Sequence, residues 1–179
     1  MKFFGGNELR SIQNFIMVII LFGSPGVGKN YVGEILKNDF DFFFYDGDEL
    51  LTLEMKNYIK LGKDLPDVLA TDYLQRKKEK FLELKSEYPK LALAEPLPKH
   101  LGQNYMFELF PNAIFIRIIS PIDVIYQRVS ERKDHPVNIA YVKKLANVFE
   151  EPVIPHQVLC NDAGIQKIKI QLNKILNIA

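Results

Sequence analysis

Three glycines, one lysine and the residues flanking them carry the most specific chemistry in this chain. Gly23-Ser24-Pro25-Gly26-Val27-Gly28-Lys29-Asn30 follows at once on the apolar run Phe15-Ile-Met-Val-Ile-Ile-Leu-Phe22. Glycine takes backbone angles closed to other residues, so successive N–H groups in such a loop can turn inward on an anion. A lysine at the end of the loop reaches the β- and γ-phosphates of a nucleotide. Val32, Ile35 and Leu36 then share a helical face, and the start of that helix adds positive partial charge where phosphates would sit. Strand, loop and helix in this order are the context the motif requires; the bland alternative is an ordinary glycine-rich turn. One position departs: the hydroxyl residue expected after the lysine is Asn30. Its amide oxygen can also ligate Mg²⁺, from a longer side chain and with different geometry.

The elements that must position this loop follow from patterning. An Ile- and Val-rich run of this length reads as a strand buried on both faces, as in a parallel sheet, and is too short to cross a bilayer. It runs straight into the glycine loop with no small-residue cleavage site, so it does not read as a secretory signal; residues 1–14 read as a loosely docked lead-in. Phe40 to Tyr45 reads as the second strand, ending in Asp46-Gly47-Asp48. A helix with Leu51, Met55, Tyr58 and Ile59 on one face follows, with Asp48 as a possible cap, and Gly62 ends it. Leu65-Pro66-Asp67 opens a helix lined by Leu74, Phe81, Leu84 and Tyr88, on which Gln75 to Lys80 reads as a solvated face.

Leu91 to Ala94, Ala113 to Ile119 and Gln157 to Cys160 read as further strands. Between and after them lie helices from about Pro98 to Leu109, from Pro121 with Ile122, Ile125 and Val129, over Val142, Leu145 and Phe149, and over Ile165, Ile168, Leu172 and Ile175. Alternating strands and helices predict a parallel α/β sheet covered on both faces. Ligands bind such sheets at the carboxyl ends of the strands. The glycine loop, Asp46, Asp48 and Glu95 all fall on that edge.

The 179 residues predict one domain spanning 1–179. A net charge of +1 gives no electrostatic case for nucleic acid or an anionic membrane, and the lone Cys160 fits a reducing, cytoplasmic setting. No Cys/His metal-site spacing occurs.

Across nearly its whole length the chain resembles the small-molecule kinases of the P-loop class, which include gluconate, shikimate and nucleoside-monophosphate kinases. The likeness rests on Gly23 to Lys29, on Asp46-Gly47-Asp48, and on Arg128-x-x-x-Arg132 before a short polar segment. It is greatest to gluconate kinases, through Ile59-x-x-Gly62-x-x-Leu65, Arg132-Lys-Asp-His135 and Glu151-Pro152. The resemblance implies a three-layer P-loop fold: a five-stranded parallel sheet in order 2-3-1-4-5, helices on both faces, and a short lid at about 130–138. It implies ATP and Mg²⁺ as cofactors. The chain departs from gluconate kinases at Asn30, after Asp48, where Glu49-Leu-Leu-Thr-Leu stands in place of His-Pro and Asn, and in lacking their acceptor-site Asp-Arg pair.

Phosphoryl transfer to a hydroxyl needs phosphates clamped, metal placed, acceptor oriented and charge offset. Gly23, Ser24, Pro25, Gly26, Val27, Gly28 and Lys29 serve the first need. Asn30 and Asp46 are the metal candidates, Asp46 through the water shell. Asp48 is the candidate to accept the acceptor hydroxyl's proton; in extended chain it would point to the same side as Asp46, with Gly47 leaving room for a ligand. Arg128 and Arg132, one helical turn apart, could close on the phosphates or simply pair with Glu131 or Asp134. His135 touches the acceptor or caps the lid. Glu95, Lys99 and His100 are weaker acceptor candidates, and Asn161 with Asp162 falls where adenine is cradled, mostly through backbone. Arg117, inside a strand, needs a partner.

The reading is an ATP-dependent phosphotransferase acting on a hydroxyl of a sugar or sugar-acid type metabolite, with no nucleic acid or membrane partner, as monomer or homodimer. The alternatives are a nucleoside-monophosphate kinase, for which the stretch from Asp48 to Gln75 lacks the arginines that grip a second phosphate, and a catalytically weak nucleotide-binding protein, motivated by Asn30.

Overall fold

Val18, Ile20 and Phe22 point to one side of a strand and Ile19 and Leu21 to the other, and all five are buried. Apolar residues at both parities forbid a solvated face, so this strand must lie inside a sheet covered on both sides. The computed structural model, which describes residues 16–132, 137–162 and 164–178, places it there. β1 (Met17–Phe22) is the central strand of a five-stranded, wholly parallel sheet in the order β2-β3-β1-β4-β5. The others are β2 (Phe43–Asp46), β3 (Lys90–Glu95), β4 (Ile114–Ile119) and β5 (Gln157–Cys160). Seven α-helices occur among the described residues: α1 (Lys29–Phe40), α2 (Leu53–Lys60), α3 (Asp67–Glu87), α4 (His100–Leu109), α5 (Ile122–Ser130), α6 (Ile139–Val148) and α7 (Ile165–Leu176). None of them is long and apolar enough to cross a membrane.

Two cores result. Ile19 and Leu21 pack with Val32, Ile35 and Leu36 of α1, Ile125 and Val129 of α5, and Ile168 and Leu172 of α7. Val18, Ile20 and Phe22 pack with Phe81 and Leu84 of α3 and Met106 of α4. Each fully buried side chain of this size contributes about 1.5–3 kcal/mol. Register brings Phe22 beside Glu95 and Arg117, so β1 and β3 end level where the glycine loop begins, and β4 runs two residues further to Ile119.

Several expectations are corrected locally. Phe40 closes α1 rather than opening β2. Asp41, in the left-handed region (φ 62°), caps the helix through its N–H to the carbonyl of Leu36, and the strand begins only at Phe43. Leu74 is half exposed; on α3 only Lys77, Phe81 and Leu84, all beyond its second turn, are buried. Ile122 and Ile165 open their helices at the sheet's rim and remain exposed. The lead-in and His135 lie outside the described residues.

Phe81 is fully buried, edge-on to Tyr45 and tilted against Phe110. Phe81→Ala should therefore lower stability by about 3–5 kcal/mol, read as a reduced midpoint in urea unfolding.

Candidate active site

The loop from Gly23 to Gly28 is held in place by a single carbonyl. Val27 O accepts from Asn161 Nδ2 at 2.8 Å and Arg128 Nη1 at 3.3 Å, and the Ser120 hydroxyl, 3.3 Å away, shares its one proton between this carbonyl and Asn161 O. The donors come from three places: the end of β5, α5, and the turn after β4. They also brace one another, since Asn161 O accepts from Ser120 Oγ at 2.7 Å and from Arg128 Nη2 at 3.1 Å. Gly26 and Gly28 both have positive φ, 88° and 93°. A Cβ on Gly28 would stand 2.1 Å from Asn161 Nδ2, so the closeness of that amide alone demands glycine. Arg128 is thus a half-buried strut under the loop.

Lys29 lies along the loop, donating from Nζ to Gly23 O at 3.0 Å and Ser24 O at 3.3 Å. Burial lowers its pKa, while the nearby carboxylates of Asp48, Asp46 and Glu95 act against that shift. At the end of β2, Asp46 accepts from Asn30 Nδ2 through Oδ2 and from the Asp48 N–H through Oδ1 at 3.1 Å. An amide facing a carboxylate presents its NH₂, which leaves the Asn30 carbonyl oxygen as the acceptor.

Asp48 is exposed, within a 3-10 turn over Gly47–Leu50. The same-side argument from extended backbone therefore does not apply. The bond from Asp46 Oδ1 to the Asp48 N–H shapes this stretch instead. Asp48 does not cap α2 either, because Thr52 Oγ1 does so by accepting from Met55 N at 3.2 Å. Nor does Gly47 leave room for a ligand: a Cβ there would lie 1.8 Å from Glu95 Oε1, so the carboxylate of Glu95 already fills that space.

Glu95 is 2% exposed at the end of β3 and meets Lys77 Nζ at 2.6 Å. Burial raises its pKa, Lys77 opposes the rise, and Asp48 and Asp46 add to it. Its second oxygen has no hydrogen-bond donor among the described residues. Lys77 belongs to the run that reads as a solvated face, yet it is buried. Its spacing could have revealed this, since 77, 81 and 84 recur at i, i+4 and i+7 on the apolar face. Tyr73 and Arg76 extend that face: Tyr73 donates to Gly47 O at 3.1 Å and Arg76 to Leu50 O at 2.7 Å. Helix α3 thereby grips the turn that carries Asp48.

The loop, Asp46, Asp48, Arg128, Arg132, Asn161 and Asp162 help to line a cavity of about 1010 Å³. That is the upper end of the roughly 300–1,000 Å³ of ligand pockets, enough for a nucleotide and a second small molecule. Arg132 is exposed on its wall. Lys99 and His100 are not among its lining residues. His100 bonds instead to Glu150 and Glu151, and Arg117 finds its partner in Glu151, at 2.5 and 3.0 Å. Asn161 acts on the loop through its side chain, beyond the backbone role expected of it.

The donors present fit Mg²⁺. Asn30 and Asp46 are hard oxygen donors that line the cavity beside the loop, and a metal that keeps its waters and binds phosphates needs few protein ligands.

Lys77→Met would leave Glu95 buried without its counter-charge and should cost about 3–5 kcal/mol. Because the folded-state pKa of Glu95 is raised, the folded protein holds its proton more tightly than the unfolded chain. Stability then falls as pH rises above the ordinary carboxylate range. The loss in the variant should accordingly be larger at pH 8 than at pH 5, measured by urea unfolding at both.

No protein-family model matches the chain. It is 25% identical over 162 residues to a probable gluconokinase from Xenopus tropicalis, covering 82% of this chain and 85% of that protein. To a uridylate kinase from Saccharomyces cerevisiae (strain ATCC 204508 / S288c) it is 26% identical over 165 residues, covering 78% and 76%. The crystal structure of an unliganded sugar kinase from Janibacter sp. HTCC2649 superposes with a TM-score of 0.74 at 17% identity, over 92% of this chain and 96% of that one. This last likeness speaks to fold alone. Strand order and phosphate loop give the chain the fold of the P-loop kinases, and in sequence it is similar to small-molecule kinases of that class, a gluconokinase among them.

Proposed function

We propose that the protein transfers the γ-phosphoryl group of ATP to a hydroxyl of a small metabolite of the sugar or sugar-acid type, within one domain whose lid spans about residues 130–138. The observation that carries this reading is the placement of Lys29 and Asp48 on one cavity at the strand ends. Lys29 exchanges its loop carbonyls for phosphate oxygens when nucleotide enters. Arg132, exposed on the cavity wall, offsets charge on the transferring group. Asp48 accepts the hydroxyl's hydrogen bond and takes its proton late in transfer. Arg128 and Asn161 serve nucleotide binding by keeping the loop in shape. Bound Mg²⁺ would neutralise charge on the phosphates, and Asn30 through its carbonyl oxygen and Asp46 through water would hold it.

A nucleoside-monophosphate acceptor has one point in its favour, the likeness to a uridylate kinase. Against it, no arginine occurs between Asp48 and Gln75, and Arg76 just beyond is tied to Leu50 O and Asp72.

The test is ADP release from Mg·ATP with sugars, sugar acids and nucleotides as acceptors. Turnover with a sugar or sugar acid is expected; tight ATP binding with no ADP above background would overturn the reading. Lys29→Ala should reduce kcat/KM by about 10²–10³. Asp48→Asn should lower kcat by roughly 10²–10⁴ while nucleotide affinity persists. Asn30→Ala should raise the Mg²⁺ concentration for half-maximal activity about 10–100-fold.

A further inference from the structure

The turn that carries Asp48 is held at both of its ends by one helix. Gly47 O, where the turn begins, accepts from Tyr73 Oη at 3.1 Å, and Leu50 O, where it closes, accepts from Arg76 Nη1 at 2.7 Å. Between these points the backbone of Asp48 is committed too. Its N–H donates to Asp46 Oδ1 at 3.1 Å, and its carbonyl accepts from the Leu51 N–H at 3.1 Å. The reach of the Asp48 carboxylate into the cavity therefore follows from where α3 lies. A single 3-10 turn has poor hydrogen-bond geometry of its own, and Asp48 and Glu49 are exposed on it, so without outside support it would fray.

Tyr73 and Arg76 are themselves fixed. Arg76 donates from Nε to Asp72 Oδ2 at 2.9 Å, and its Nη2 reaches the sulfur of the fully buried Met55 at 3.6 Å. Lys77 Nζ stands over the Tyr73 ring, 4.2 Å from its centroid, where the ring's negative face attracts it. The same ammonium meets Glu95 at 2.6 Å, and Glu95 pairs in register with Phe22, the last residue before the phosphate loop. A ladder of contacts thus runs from the end of β1 through Glu95, Lys77 and Tyr73 to Gly47. Burial, with the carboxylates of Glu95, Asp48 and Asp46 behind it, raises the Tyr73 pKa, so its hydroxyl keeps the proton it donates.

Neither Tyr73 nor Arg76 lines the cavity, so any part they play in the chemistry passes through the turn. We propose that both are positioning residues for phosphoryl transfer: by pinning Gly47 O and Leu50 O to α3, they hold Asp48 at the separation from Lys29 that proton acceptance requires. Misplacing a reacting group by 1 Å costs about 10² in rate, which makes a braced turn worth far more to turnover than to folding. The proposal rests on the kinase reading and on Asp48 as its proton acceptor.

Turnover is read as ADP release from Mg·ATP with the sugar or sugar acid that reacts fastest, and nucleotide affinity by calorimetric titration with Mg·ADP. Tyr73→Phe, which removes a single oxygen, should lower kcat about 3–10-fold. Arg76→Met should lower it roughly 10–100-fold, and Arg76→Lys should recover part of that loss. Mg·ADP affinity should stay unchanged in all three. Beside Asp48→Asn, both losses should vanish, because the group being positioned is gone. The proposal falls if Tyr73→Phe and Arg76→Met leave kcat intact, if Mg·ADP affinity drops in step with kcat, or if the losses persist in full beside Asp48→Asn. Normal turnover of Asp48→Asn alone overturns the proton acceptor of the kinase reading, and the proposal with it. Hydrogen exchange tests the brace without turnover. The amides of Asp48 and Leu51 should exchange about 3–10-fold faster in Tyr73→Phe, and unchanged exchange overturns the proposal even where no acceptor reacts.

Discussion

Much of this molecule depends on how one carbonyl is held. Val27 O receives donors from Asn161, Arg128 and Ser120, which arrive from β5, α5 and the turn after β4. An anion-binding loop works only if its backbone keeps its shape before the anion arrives, because reorganising it on binding would spend the binding energy. Here the shape is imposed from outside. The order of the parallel strands matters for the same reason: it sets β4 and β5 beside β1, so that residues about a hundred positions later in the chain reach the loop.

On the other side of β1 the support is a buried charge pair. Glu95 at the end of β3 and Lys77 of α3 stabilise each other out of water, at the desolvation cost that buried ions carry. The pair lies under Gly47, and the same helix face holds Gly47 O and Leu50 O through Tyr73 and Arg76. The stretch from Asp46 to Leu50 is thus braced from below, and the acidic edge opposite the loop inherits the rigidity of α3. The unpartnered oxygen of Glu95 is buried under Gly47, and the proton that burial favours on this carboxyl lowers the cost of leaving it there.

The loop and the alternation of elements were legible because each rests on local chemistry: glycine's permissiveness, apolar runs at both parities, and helical spacing; the sheet order was legible only through the resemblance to P-loop kinases. What was not legible depended on partners far along the chain. Arg128 reads as a phosphate clamp from its spacing to Arg132, yet its partners are Val27 O and Asn161 O. Gly47 reads as room for a ligand, yet Glu95 occupies that room. Lys77 is the instructive case. Its place on the Phe81 and Leu84 face was visible, but the charges of its immediate neighbours outweighed it.

The sequence by itself determined that a phosphate loop joins a doubly buried strand to a helix, and that acidic residues follow neighbouring strands on the same edge. Glycine content, apolar parity and carboxylate position are properties of short stretches, fixed before any long-range contact forms. Tertiary structure alone decided which cations remain free. Arg128, Lys77 and Arg117 each meet an oxygen acceptor from a distant segment, whereas Lys56 meets none among the described residues. A cation's availability depends on the nearest carboxylate or carbonyl in space, and no spacing along the chain measures that distance.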